Sequence, residues 1–485
     1  MGSQPGGTRT FTLAPRWPRY VSSFGERGLR ARFVSQAAMA QATGPSGMRT
    51  FTAVWIGQLI SLVGTGMTGF ALVIYIWQLT GQATALALGA FFRFAPTVLV
   101  SPIAGALVDR WNRRKIIVLA DSGAGILTSV LLLLYVTDDL QIWHIYLAGA
   151  FTGAFESFHF PAFSAAITVM LKKEHYARAS GMMSFAEAAS GIFAPIFAGV
   201  LLIIIGIGGV MTIDVFTFVV AVTAVLLMRI PQPAVTESGQ AGRGSILKES
   251  IYGFRYIFQR RSLLGLQMVF FGVNFTATFS GVVLAPMILA RTNDNTALLG
   301  TVQSAFGVGG VAGALVLSTW GGPKRKVHGI LLGMVLASIL GEVTMGIGRD
   351  VFLWATAAFL GSFFIPIING SNQAIWQAKV APDVQGRVFA ARRLIAQITI
   401  PAAMIIAGLL ADGYFEPALR SGGALSDELG FLVGVGPGSG MALMFIISGI
   451  IGALIGIGGY AFHAVRDAEE ILPDHSREIQ QLVEA

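Results

Sequence analysis

Apolar residues fill twelve long stretches of the chain, at 51–78, 84–107, 116–136, 142–170, 180–204, 209–230, 264–290, 297–318, 328–347, 351–378, 389–410 and 440–463. About 20 such residues carry an α-helix across the hydrocarbon of a bilayer. The pattern predicts an all-α integral membrane protein with twelve transmembrane helices. A polar interval at 231–262 divides the stretches into six and six. Five domains are expected on this basis. These are a disordered basic extension (1–48), a six-helix bundle (49–230), a linker with an amphipathic helix (231–262), a second six-helix bundle (263–463) and a C-terminal tail (464–485).

The halves repeat. Ala104-Gly105-Ala106-Leu107-Val108 closes the second stretch, and Ala312-Gly313-Ala314-Leu315-Val316 lies in the eighth. Pro195 in the fifth is matched by Pro401 in the eleventh at almost the same offset. Duplicated helical halves around a shared midplane site are a recurrent transporter architecture.

Composition agrees with a lipid-facing surface. Hydrophobic residues make up 54% of the chain, charged residues 12%, and the mean hydropathy is +0.69. Soluble domains carry roughly 25% charged residues, so a water-facing exterior cannot be assembled here. A net charge of +8 would point to nucleic acid in a soluble chain, but its placement argues otherwise. With the amino terminus inside, all but four of the 33 Lys and Arg fall on the cytoplasmic side; the exceptions are Arg93, Arg291, Arg349 and Arg420. This is the positive-inside bias, and it places both termini in the cytoplasm of a multi-pass protein of the cell (inner) membrane. No nucleic-acid partner is expected. The first 48 residues carry six Arg against Glu26 and lack a secretory apolar core. A disordered tail or an upstream start codon (with Met39 or Met48 beginning the chain), a basic arm on anionic lipid and a transit peptide are the readings open to them. There is no cysteine, which excludes disulfides and thiolate chemistry. No metal or cofactor is expected.

One loop carries a specific signal. Gly105-Ala-Leu-Val-Asp109-Arg110-Trp-Asn-Arg113-Arg114-Lys115 resembles the signature loop of the major facilitator superfamily. The resemblance extends over about 48–463. It includes Pro161-Ala-Phe-Ser-Ala-Ala, Ile213-Asp214-Val-Phe-Thr-Phe and Val380-Ala-Pro-Asp-Val-Gln-Gly386-Arg387, which are similar to the drug-exporter branch containing macrolide-efflux proteins and the enterobactin exporter. It implies the two-bundle facilitator fold, with Gly105, Asp109, Arg110, Arg113 and Arg114 as a gating cluster that latches one state and breaks in the other. Gly181, Pro195 and Gly199, with small residues at Ser190, Ala194 and Ala198, resemble the superfamily's antiporter motif in degenerate form. Small residues keep a helix face flat and Pro bends it.

The same resemblance implies that the first, fourth, seventh and tenth spans line the cavity. Their polar residues recur at helical spacing: Gln58, Ser61, Thr65 and Thr68; Thr152, Glu156 and His159; Asn274 and Thr278; Asn369, Asn372, Gln373 and Trp376. Each set occupies one helix face, and polar stripes in lipid face an interior. Contact with substrate and hydrogen bonding between helices are both open roles. Charge at mid-membrane costs at least about 2.5 kcal/mol, so Glu156, Glu187 and Arg93, deep in their spans, are proton-coupling candidates, with His159 one turn from Glu156. Asp214 and Glu342 lie nearer helix ends. Glu156 is expected to carry the proton and Arg93 to be its charge partner, with a static buried pair as the alternative.

The expected function is secondary active transport, with proton-coupled export of amphipathic small molecules (drug, macrolide-like compound or siderophore) by alternating access. The chain is expected to act as a monomer in the lipid bilayer. An importer of the same fold and a non-transporting sensor are the alternatives. No catalytic triad, His-Glu-x-x-His or phosphate-cradling loop is present, which argues against an enzyme and against an ATP-driven pump.

Overall fold

The computed structural model describes residues 47–108, 111–171, 175–227, 246–380 and 384–471; the expected basic extension, up to residue 46, lies outside them. Among the described residues ten segments are long and apolar enough to cross a bilayer, and one of them, Gly181–Leu227, holds two helices. Within the described residues each of the twelve apolar stretches falls mainly on helix. The first bundle contains α1 (Gly47–Thr80), α2 (Ala83–Val108), α3 (Arg113–Val136) and α4 (Ile142–Met170). The run Tyr176–Leu227 follows. Gly206, at φ 67 and ψ −176, divides it into α5 and α6, because only glycine adopts that backbone conformation freely.

The linker helix α7 (Ile246–Phe258) leads into the second bundle. Its Ile257 is fully buried among residues of that bundle, while Phe258 is exposed. Next come α8 (Arg261–Val282), extended by α9 (Leu284–Arg291), and α10 (Thr296–Trp320). Then α11 (Lys326–Leu336) continues through a π turn at Ala337–Val343 to Ile347. The chain closes with α12 (Val351–Lys379), α13 (Gln385–Gln397), α14 (Ile400–Leu410), α15 (Ser426–Val433) and α16 (Ser439–Ala461). The stretch 389–410 is thus not one helix. It breaks at Ile398–Thr399, just before Pro401, whose ring lacks an N–H and crowds the preceding turn. After the break, α14 passes through a second π turn, Ala411–Phe415, to Ala418.

The buried apolar side chains reveal how the bundles meet. At the end remote from the described termini, one cluster takes residues from both bundles, among them Phe70, Ile74, Leu86 and Met211 with Met287, Leu299, Trp354 and Met441. At the terminal end each bundle keeps its own cluster. Phe51, Ile117, Phe163 and Val225 form one, and Leu263, Leu331, Trp376 and Val388 the other. The bundles therefore share a core over the far half and have separate cores over the terminal half. Two helix seams join them, α5 against α10 and α2 against α14. Polar contacts close the far end. Trp77 Nε1 donates to Asp294 Oδ1 at 2.7 Å, and the Ala83 and Thr84 amides donate to the Asp412 carboxylate at 3.0 and 2.7 Å.

Candidate functional site

Inside the first bundle, α2 and α4 pack closely enough to pair two charges. Thr97 Oγ1 donates to the Gly153 carbonyl at 3.0 Å, and a Cβ on Gly153 would collide with the Arg93 carbonyl. One helical turn beyond Gly153, Glu156 Oε1 accepts a hydrogen bond from Arg93 Nη2 at 2.5 Å. The two side chains are 41% and 42% exposed, so the pair is reachable from the cavities. Glu156 lines a cavity of about 240 Å3 and Arg93 an adjoining one of about 290 Å3. Thr65, Thr128, Thr152 and Asp214 belong to both. Asp214, from α6, is 2% exposed and accepts from Thr65 at 3.1 Å and Thr128 at 3.3 Å. Arg93 is close enough to act on its charge as well.

A second polar group lies toward the terminal end of the 240 Å3 cavity. His159 Nε2 is 3.2 Å from Asp121 Oδ1 and 3.1 Å from Gln58 Oε1. Gln58 Nε2 donates to Asp121 Oδ2 at 2.8 Å. This ties α1, α3 and α4 together, and the His159 ring stacks on Phe163. Glu187, on α5, also lines the cavity and is exposed, but it does not join the Arg93–Glu156 contact.

The second bundle has two cavities that share Phe270, Asn274 and Asn369. The larger, about 340 Å3, collects amides and cations: Gln267, Asn372, Gln373, Arg392 and Arg393. Arg392 donates to Gln373 Oε1 at 2.9 Å and lies over the Trp376 ring at 5.1 Å. Asn274 donates to the Ala396 carbonyl at 3.1 Å. Asn372 is 2% exposed with its Oδ1 unpartnered. Trp376, expected on the cavity wall, is instead fully buried in the terminal-end core. It faces packing rather than space, in a buried cluster that includes Leu263, Leu331 and Val388.

The motif residues sit elsewhere. Gly105 is in the last turns of α2; Asp109 and Arg110 lie outside the described residues, and Arg113 opens α3. Arg114 donates from Nε to the Val225 carbonyl at 3.2 Å and from Nη2 to that of Leu226, tying the start of α3 to α6. Pro195 and Gly199 form the α5 side of the seam with α10. Thr296 Oγ1 donates to the Gly199 carbonyl at 3.1 Å, and a Cβ on Gly300 would come within 2.5 Å of the Pro195 carbonyl. Gly181, near the start of α5, is exposed, with nothing near its Cβ direction.

Residues 54–404 match the Major Facilitator Superfamily. The chain belongs to that superfamily. It is 25% identical over 373 residues to Macrolide efflux protein A of Streptococcus pyogenes, across 75% of this chain and 89% of that protein. It is 25% identical over 307 residues to Enterobactin exporter EntS of Escherichia coli O6:K15:H31, across 63% of this chain and 70% of that protein. Among solved structures, a bacterial homologue of the human lysosomal transporter Spinster, inward-facing and unoccupied, superimposes with a TM-score of 0.62 at 14% identity, over 87% of this chain and 98% of that one. This facilitator is thus a multi-pass membrane transport protein and not an enzyme.

Two members of its polar network, Asp121 and Arg392, have no motif to mark them. The signal available for both was that an ionisable side chain near the start of an apolar stretch must find a polar partner.

Proposed function

We propose that this facilitator exports amphipathic small molecules in exchange for protons, with Glu156 as the proton carrier and Arg93 as its charge partner. The Arg93–Glu156 contact at the junction of two cavities carries this reading. Protonating Glu156 cancels the charge that holds the guanidinium. Arg93 is then left with Asp214 as the remaining acid of its cavity. A proton arriving at one carboxylate thereby redirects a cation toward α6, and α1 is bound to that acid through Thr65. His159, held by Asp121 and Gln58, orders the approach to Glu156, and Glu187 is a second carrier on the same cavity.

The terminal end is assigned to the cytoplasm on the distribution of Lys and Arg. With separate cores at that end and a shared core at the other, the conformation then supports an inward-facing state. Alternating access requires the far end to part and the terminal end to close, by rocking one bundle on the other. Pro195 and Gly199, in the α5–α10 seam, provide a smooth surface for that motion. The Gly105–Arg114 loop latches the outward-facing state, with Asp109 as its acid. Export is favoured by the two efflux proteins named above, and the amide-lined and apolar cavities of the second bundle suit a ligand with both kinds of surface. The transporter acts as a monomer.

The test is efflux of a fluorescent amphipathic dye from proteoliposomes under an imposed pH gradient. Glu156→Gln is expected to abolish gradient-driven flux while leaving the protein folded and inserted, and Asp109→Ala to lower flux in both directions. Undiminished gradient dependence in Glu156→Gln would remove the carrier role.

A further inference from the structure

A cavity of about 310 Å3 in the second bundle is walled by Phe270, Phe306, Met334, Ile365 and Phe445. Among its described lining residues one side chain is ionisable, Glu342. Glu342 belongs to the π turn Ala337–Val343. Such a turn holds one residue more than an α turn, so it rotates the side chains beyond it by about 100° around the axis. Its neighbour Gly341 lies against α12, where an added Cβ would come within 2.6 Å of Gly361 Cα. Close packing at Gly341 and the wide turn together deliver the next residue to the cavity.

The carboxylate is left incomplete. Glu342 Oε2 is buried and has no hydrogen-bond partner, an arrangement that is costly unless something else supplies the contact. The nearby polar groups are shared with other partners. Asn274 donates to Ala396 at 3.1 Å, and Ser280, the hydroxyl near enough to bond to the Glu342 side chain, also has its Oγ 3.1 Å from the Thr276 carbonyl. The described lining residues include no Lys, Arg or His. In the first bundle, by contrast, Glu156 already has Arg93. What this cavity lacks, among its described lining residues, is a cation, and the three Phe rings offer faces that attract one.

We infer that this cavity binds the cationic head of an amphipathic organic amine or quaternary ammonium, with Glu342 as its counter-ion. The inference rests on the reading of the chain as a small-molecule transporter. It assigns the proton to the first bundle and the substrate's charge to the second.

The test is equilibrium binding to the purified full chain in detergent, without any gradient. Two probes are compared: 4-phenylbutyl-trimethylammonium and its neutral carbon isostere, in which a tert-butyl group replaces the ammonium. The parent is expected to prefer the cation by about tenfold or more. Glu342→Gln is expected to abolish that preference and leave the affinity for the isostere unchanged, and Glu342→Asp to keep a preference of the same sign. Equal binding of the two probes by the parent, or a preference that survives in Glu342→Gln, overturns the assignment. Should the Gln variant bind neither probe, Glu342→Asp decides: a retained preference upholds the site and a lost one removes it. Because no gradient is applied, failure of Glu156→Gln to affect flux leaves this result untouched, so the two readings fail separately.

Discussion

Replacing Asp412 with Ala removes two hydrogen bonds that tie the bundles together at the far end. The carboxylate accepts from the Ala83 and Thr84 amides at 3.0 and 2.7 Å, the first N–H groups of α2, which have no partner within their own helix. Hydrogen bonds to a charged acceptor contribute about 1.5–3 kcal/mol each. Asp412 is half-buried, and water replaces both bonds once the end parts. The net bias toward the closed far end is therefore about 2 kcal/mol for the two together. Losing it shifts the equilibrium about thirtyfold toward the state open at the far end. The chain contains no cysteine, so spin labels at Asp139→Cys and Ser421→Cys, both exposed far-end positions, report the separation of the bundles without background. The expected order of far-end opening is Ala over Asn over the parent Asp, since Asn keeps an acceptor oxygen but no charge. An Asp412→Ala distance distribution that matches the parent's would refute the reasoning, as would a larger shift in Asn than in Ala.

Other outcomes follow from the same contacts. Trp376 is fully buried in the terminal-end core, so Trp376→Ala is expected to cost about 3–5 kcal/mol of stability. The check is thermal unfolding in detergent, and an unchanged midpoint with altered ligand binding would return Trp376 to the cavity wall. At the terminal end Asp467 accepts from Arg466 at 3.0 Å and from Arg325 at 3.1 Å. These cations, Arg466 foremost, hold its carboxyl below the ordinary value of 3.8. A depressed carboxyl stabilises above its unfolded value and loses that contribution as pH falls through the folded one. The segment after α16 should thus remain docked at pH 5 and detach only below the usual aspartate range. A spin label at Phe462 reads this through its mobility; release already at pH 5 would contradict it.

Much of the site was legible residue by residue, but not as pairs. A charge inside an apolar stretch marks Arg93, Glu156 and Glu187 as residues needing an explanation. Nothing in that rule says that Arg93 meets Glu156, 63 positions away, while Glu187 stands apart. Helical spacing puts Gln58 on a polar face of α1 and His159 on one of α4, yet the Asp121 that joins them comes from a third helix. Trp376 shows the limit of periodicity. It shares a face with Asn372 and Gln373 by spacing, but it is buried in a cluster with residues of other helices, Leu331 and Val388 among them.

By itself the sequence determined that this is a helical membrane protein of the facilitator kind. Each residue in hydrocarbon carries its own transfer cost, and each helix closes its own hydrogen bonds, so the local pattern suffices. The loop after α2 added the family because its residues are contiguous. Only the tertiary structure decided that the bundles share a core at one end and not at the other, that Arg93 takes Glu156, and that Asp412 caps a helix of the opposite bundle. The same holds for Glu342, with one carboxylate oxygen left without a partner beside an apolar cavity. These outcomes depend on the approach of helices distant in the chain, and on two π turns that rotate side chains within helices. The apolar pattern that drives insertion is satisfied equally well whichever residues meet inside.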